Sequence, residues 1–246
     1  MSIIDNNYKI LETNYAFYIE EVNKIGDDFG GPSIYFHKRA LEEKNVNFLS
    51  DLHVEYIYAT LASWGMHRMG KTKTKMNDFE IFRSSILQQK DRLTHFKDVK
   101  IEEIGSNIDD IIEELKQICF SICTSASNSK IVGNSKTLAH ILPDLIPPID
   151  RQYTIRFFTN KPKCDDNIKS FVETFSNFKG IEEEKVYFSH ILNKTFDFVN
   201  CIKKDANLKI DNRFNTSYPK IFDNFIIAYM KDKQELNNAK PSGHGA

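Results

Sequence analysis

No stretch of this chain alternates apolar and polar residues in the two-residue rhythm of a half-buried strand, and no Asn-Gly or Asp-Gly pair offers a tight hairpin. A sheet is therefore not expected. No apolar run approaches the length of a membrane span. The seven histidines (His37, His53, His67, His95, His140, His190 and His244) form neither HxxxH nor HExxH, which argues against a metal hydrolase. The phosphate-cradling patterns GxxxxGKS/T and GxGxxG are missing, and so is the GxSxG nucleophile elbow. No metal, no nucleotide and no other cofactor is expected. Cys119, Cys123, Cys164 and Cys201 make no CxxC pair. Cys119 and Cys123 lie one helical turn apart, as small buried residues do. With no signal-peptide pattern, a reducing cytoplasm is the expected location. The formal net charge of −1 excludes a protein that coats nucleic acid indiscriminately, yet leaves room for a local basic face.

What is present is helical periodicity. The 246 residues suffice for one large domain or two small lobes, and 41% hydrophobic content with nineteen Phe supplies a core. Apolar residues recur at helical spacing over 8–23, 48–66, 79–93, 168–178, 184–203 and 219–236. Ser33 is placed to cap a helix running to about residue 43. Asn77 is placed to cap the helix over 79–93. Ser106 with Asp109 has the form of a capping box ahead of Ile111, Ile112, Leu115 and Ile118. The run Glu182-Glu183-Glu184 is a solvated helix start, favourable at the positive end of the dipole. Residues 237–246 have the composition of a disordered tail, leaving 1–236 as one helical domain.

Residues 131–154 are the most informative. Val132-Gly133-Asn134-Ser135 has the form of a tight turn entering a helix, with Gly133 supplying conformational freedom and Asn134 or Ser135 the N-cap. The helix then carries Lys136 in its first turn and ends at Pro143. Lys136 and His140 are spaced i, i+4 and share a face. Free N–H groups at such a turn suit a phosphate. Pro147 and Pro148 stiffen the linker, and Asp150 is placed to cap the next helix through Tyr153, Ile155 and Phe157. An amine and a carboxylate are thus expected in one pocket.

A second unusual stretch is Trp64 to Met76. Arg68, Lys71, Lys73 and Lys75 occur there with no acid among them, next to Gly65 and Gly70. Such a loop suits phosphate tracking. Trp64, Met66 or Met69 is of a kind that stacks on a base or fills the gap it leaves. The alternative is a solvated loop beside a core tryptophan.

The ordered elements Val132-Gly133, Lys136-Thr137 and Ile149-Asp150 resemble the helix-hairpin-helix DNA glycosylases, the superfamily that includes endonuclease III. The resemblance covers about a tenth of the chain. Lys130-Ile131 stands where the family has Pro-Gly, and no four-cysteine cluster follows, which excludes the iron–sulfur subfamily. The resemblance implies an all-α fold of about ten helices in two lobes, with a degenerate hairpin over 107–142 and a cleft between the lobes. It implies Lys136 as nucleophile and Asp150 as the essential carboxylate of a DNA glycosylase with AP-lyase capacity, acting as a monomer on DNA without a membrane. Lys130, Gly133, Asn134, Ser135, Arg68, Lys71 and Lys73 would then contact DNA. Trp64, Met66, His67, His140 and Tyr153 would form the base pocket or wedge. The rival readings are a non-catalytic hairpin protein that holds DNA and a helical interaction protein without nucleic acid. The base removed, and whether the role is repair or attack on foreign DNA, is not written in these residues.

Overall fold

Local sequence sets some of the helix starts. Ser50 accepts the N–H of His53 at 3.1 Å and opens one helix. Gly30 and Gly31 open another, with Gly31 at φ +64, a conformation that favours glycine, and Pro32 in the first turn where its missing N–H costs nothing. The computed structural model describes residues 5–25, 30–67, 75–159, 178–210 and 214–238.

The helices are α1 (Asn6–Lys24), α2 (Gly31–Val46), α3 (Asp51–Leu61), α4 (Phe79–Leu87), α5 (Lys90–His95), α6 (Ile108–Ser121), α7 (Ile131–Ile141), α8 (Arg156–Thr159), α9 (Ile181–Ile202) and α10 (Tyr218–Asn238). A wider π-type turn (Ala62–Met66) extends α3, and another (Arg151–Ile155) leads into α8. The fold is all-α. Among the described residues there is no strand, only an isolated bridge between Met76 and Ser125. No described helix is long and apolar enough to cross a membrane.

The core is one large cluster, with a small separate one of Ile25, Ile34 and Phe214. Leu11 and Val22 of α1, Phe188 and Phe198 of α9, and Phe222, Phe225 and Ile226 of α10 are fully buried, and α1 packs along α10. Phe198 meets Phe222 and Phe225 at ring separations of 5.0 and 5.3 Å. Each such ring contributes roughly 1.5–3 kcal/mol through burial. α7 touches α2, α3, α6 and α9, so it is the most central short helix, and it carries Lys136.

Several starts differ from the local reading. Ser33 lies inside α2, not at its cap. The helix expected over 79–93 is two, broken at Gln89 (φ −100, ψ 8). α6 begins after Asn107 with no side-chain cap bond, so Ser106 and Asp109 form no capping box. α10 continues through Asn237 and Asn238. The helix expected at 168–178 falls almost wholly outside the described residues, as does the rest of the tail.

Candidate active site

α7 starts at Ile131, so Val132 to Ser135, expected as a turn, are helical. Gly133 is helical and buried. A Cβ there would lie 3.1 Å from Met66 Cε and 3.3 Å from Thr124 Cγ2, so the glycine serves close packing and not a turn. Asn134 is not a cap either. Its amide donates to the carbonyls of Cys119 (2.7 Å) and Ile122 (2.9 Å), closing the end of α6. Ser135 Oγ donates to Val132 O (3.2 Å) and accepts the N–H of Ile149 (3.1 Å), which ties down the proline linker. Tertiary demand has taken both good N-cap residues.

The α7 N-terminus is closed from elsewhere. Glu184 Oε2 accepts the backbone N–H of Lys130 (2.8 Å) and of Ile131 (3.0 Å). Glu184 is only 2% exposed, so the solvated helix start expected for 182–184 does not hold at this residue. The phosphate cradle expected at Gly133 is likewise corrected: a protein carboxylate already satisfies the first amides. The Lys130 amine donates to Ser125 O at 2.8 Å.

One turn into α7 stands the expected pair. Lys136 Nζ lies 2.8 Å from Asp150 Oδ2, with side chains 12% and 31% exposed. Asp150 caps as expected: Oδ1 accepts from Gln152 N (2.6 Å) and Tyr153 N (3.3 Å). Its own N–H donates to Thr154 Oγ1 at 3.1 Å. Burial raises the Asp150 pKa, but the Lys136 ammonium and the two cap amides outweigh it and hold the carboxyl below the usual carboxylate range. The carboxylate is thus fixed in place and kept charged.

Trp64 stands beside the pair, its ring centre 5.8 Å from Lys136 Nζ and 5.1 Å from the His140 ring. His140 is buried, not on an exposed helix face. Its Nδ1–H donates to Lys136 O (2.8 Å), and its Nε2 meets His37 Nδ1 at 3.0 Å. Tyr153 is half-buried, and its hydroxyl accepts from Gln152 Nε2 at 3.3 Å. Met66 is half-buried and packs against the core. His67 is exposed and bonded to Ala62 O at 2.6 Å. Arg68, Met69, Gly70, Lys71 and Lys73 lie outside the described residues.

Near the pair lies a small pocket with room for about one water, walled in part by His37, Trp64, His140, Pro148, Ser217 and Lys220. Three of these were not anticipated. His37 is 103 residues from His140 and carries no local signal. Lys220 is bonded to Asp223 Oδ2 (2.6 Å) and Asn224 Oδ1 (2.8 Å) in a buried network. Its only sequence trace is the i, i+3 spacing. Ser217 accepts the N–H of Lys220 near the start of α10. Burial raises the Asp223 pKa against the pull of Lys220, and the nearby Asp150 charge adds to the rise. Among the described residues no group of three acidic, histidine or cysteine side chains is arranged to hold a metal.

Comparison with protein-family models, with characterised proteins and with solved structures finds no match to this chain.

Proposed function

We propose that this chain is a DNA glycosylase that flips a damaged or modified base out of the duplex and excises it, with Schiff-base AP-lyase capacity. The observation that supports the reading is the Lys136–Asp150 contact: a largely buried amine, held 2.8 Å from a carboxylate that the amine itself and two backbone amides keep charged. A base within the stack is out of reach of any side chain, so extrusion precedes chemistry. Lys136 gives one proton to the departing base. Its freed lone pair forms the N–C1′ bond while the glycosidic C1′–N bond breaks and its electron pair leaves with the base. The Asp150 charge stabilises the cationic sugar that develops. Ring opening yields the iminium, loss of a C2′ proton breaks the C3′–O bond, and the phosphate leaves with that electron pair.

The test is a panel of duplex oligonucleotides carrying damaged and modified bases, incubated with the protein in the presence and absence of borohydride. Base release and a trapped adduct on at least one substrate, with the adduct lost in Lys136→Gln, support the proposal. DNA binding without base release from any substrate turns the reading to a non-catalytic hairpin protein. Salt-independent failure to bind DNA removes nucleic acid altogether.

A further inference from the structure

We infer that the buried hydroxyls of Ser135 and Thr154 are positioning residues for the Lys136–Asp150 pair: they grip the two backbone amides that carry the carboxylate and so set its approach to the amine. The linker creates the need for them. Pro147 and Pro148 have no N–H, and the amides of Leu145 and Ile146 both bond back to Leu142 O. The next donors along the chain are Ile149 N and Asp150 N, and both go to side-chain hydroxyls. Ile149 N donates to Ser135 Oγ at 3.1 Å, and Asp150 N donates to Thr154 Oγ1 at 3.1 Å. Ser135 is fully buried and Thr154 is 1% exposed. An amide buried there without an acceptor would be penalised.

The Ser135 contact sets the register between two segments. It joins residues 135 and 149, and the ion pair joins residues 136 and 150. Two neighbouring contacts, each spanning 14 residues, therefore link the same two stretches of chain. Ser135 Oγ also donates to Val132 O (3.2 Å), which fixes the hydroxyl within α7. The Thr154 contact follows from the wide turn after Asp150. In a reciprocal cap the third residue of the helix reaches back to the N-cap amide. Tyr153 has that place here, but its hydroxyl is with Gln152 Nε2. The π-type turn carries an extra residue, so Ile155 N bonds to Asp150 O (2.9 Å), and Thr154 takes over the Asp150 amide. Thr154 then holds the Asp150 backbone, Gln152 N and Tyr153 N hold Oδ1, and Oδ2 is left for Lys136.

An ion pair alone does not fix such a geometry. A lysine has many rotamers, and its ammonium is a point charge with no preferred direction. The two gripped amides confine the carboxylate instead. Both hydroxyls are too buried to touch a sugar, so they act through Asp150. Under the proposed excision chemistry, on which the activity arm of the test rests, a displacement of about 1 Å at this charge costs up to about a hundredfold in rate.

Four proteins are compared: the parent chain, Ser135→Ala, Thr154→Val and Thr154→Ser. Valine keeps the branching of threonine without the hydroxyl, and serine keeps the hydroxyl. Acetylation of native protein by a succinimidyl ester, read by mass spectrometry, measures how often the Lys136 amine leaves its partner. Lys220, buried against Asp223, reports opening of the whole fold in the same samples. Lys136 should react about threefold to tenfold faster in Ser135→Ala and Thr154→Val than in the parent, with Lys220 unchanged and Thr154→Ser close to the parent. On any oligonucleotide from which the parent releases a base, the single-turnover rate should fall about tenfold or more in the same two variants, while DNA affinity stays within about twofold. The two Thr154 variants decide the matter even where Ser135→Ala does not fold. Lys136 labelling that is unchanged, that rises together with Lys220, or that is as fast in Thr154→Ser as in Thr154→Val overturns the inference. Base release at the parent's rate in Ser135→Ala and Thr154→Val would sink the positioning role alone. The expected labelling pattern in a protein that releases no base would sink the excision chemistry and leave the positioning role standing.

Discussion

The Glu184 carboxylate accepts the backbone N–H of Ile131 at 3.0 Å, joining the first turn of α9 to the first turn of α7 across 53 residues of sequence. The same oxygen accepts from Lys130 N. An anion is thereby placed at the positive end of the α7 dipole, where two amides would otherwise be buried without partners. This contact fixes where α7 begins, and so how deep Lys136 sits.

Glu184→Ala should therefore cost about 2–3 kcal/mol, since it leaves buried donors unsatisfied. Glu184→Gln keeps an acceptor and should cost about 1 kcal/mol less. Urea unfolding with unchanged m-values measures both. Equal losses in the two variants would show that the charge, which both lack, carries the contact and that a neutral acceptor cannot replace it.

The difference between what was legible and what was not follows from sequence distance. Asp150 as an N-cap, and its meeting with Lys136, depend on residues within one short segment and were readable. The start of α7 was not. Asn134 and Ser135 satisfy every local rule for a cap, yet Cys119, Ile122 and Ile149 use their side chains. The actual cap arrives from Glu184, and the cavity wall from His37 and Lys220, none of which any local pattern connects to Lys136. The all-α class was readable because helical periodicity repeats over many turns.

Acid should destabilise the fold steeply. Burial lowers the pKa of His37 to about 2, of His53 to about 4 and of His140 to about 4, from an ordinary 6.5. Between pH 6.5 and about 4 the unfolded chain binds protons that the folded chain refuses, so stability is complete above this window and falls through it. Each imidazole contributes up to ~1.4 kcal/mol per pH unit. Unfolding free energies at several values between pH 4.5 and 6.5 should show this slope, lower by one imidazole's share in His37→Phe. An unchanged slope in that variant would mean that His37 titrates freely.

The buried Lys220–Asp223 pair, with side chains 9% and 5% exposed, should behave asymmetrically under substitution. Asp223→Asn leaves Lys220 charged and unmatched, and should cost about 3–5 kcal/mol. Lys220→Met combined with Asp223→Leu removes both charges and should recover most of that loss. A double variant as unstable as the single one would show that the wider network through Asn224 and Asn215 matters more than the charge pair.

Lys136 and Asp150 should separate stability from chemistry. Asp150 has two structural duties, the ion pair and the cap, whereas Lys136 has the pair and its contact with Trp64. Lys136→Met leaves a carboxylate still held by two amides and 31% exposed to water, so the cost should be about 1 kcal/mol or less. Asp150→Asn retains a good cap and should cost about 1 kcal/mol. Asp150→Ala loses both duties and should cost about 2 kcal/mol. Under the proposed chemistry the order in activity is different: all three variants should lose base release by at least about a hundredfold, because nucleophile and electrostatic partner act together. Thermal unfolding and single-turnover base release on one set of proteins compare the two orders. Activity that tracked stability, with Lys136→Met nearly as active as the parent, would reduce the pair to a strut between α7 and the turn that follows its linker.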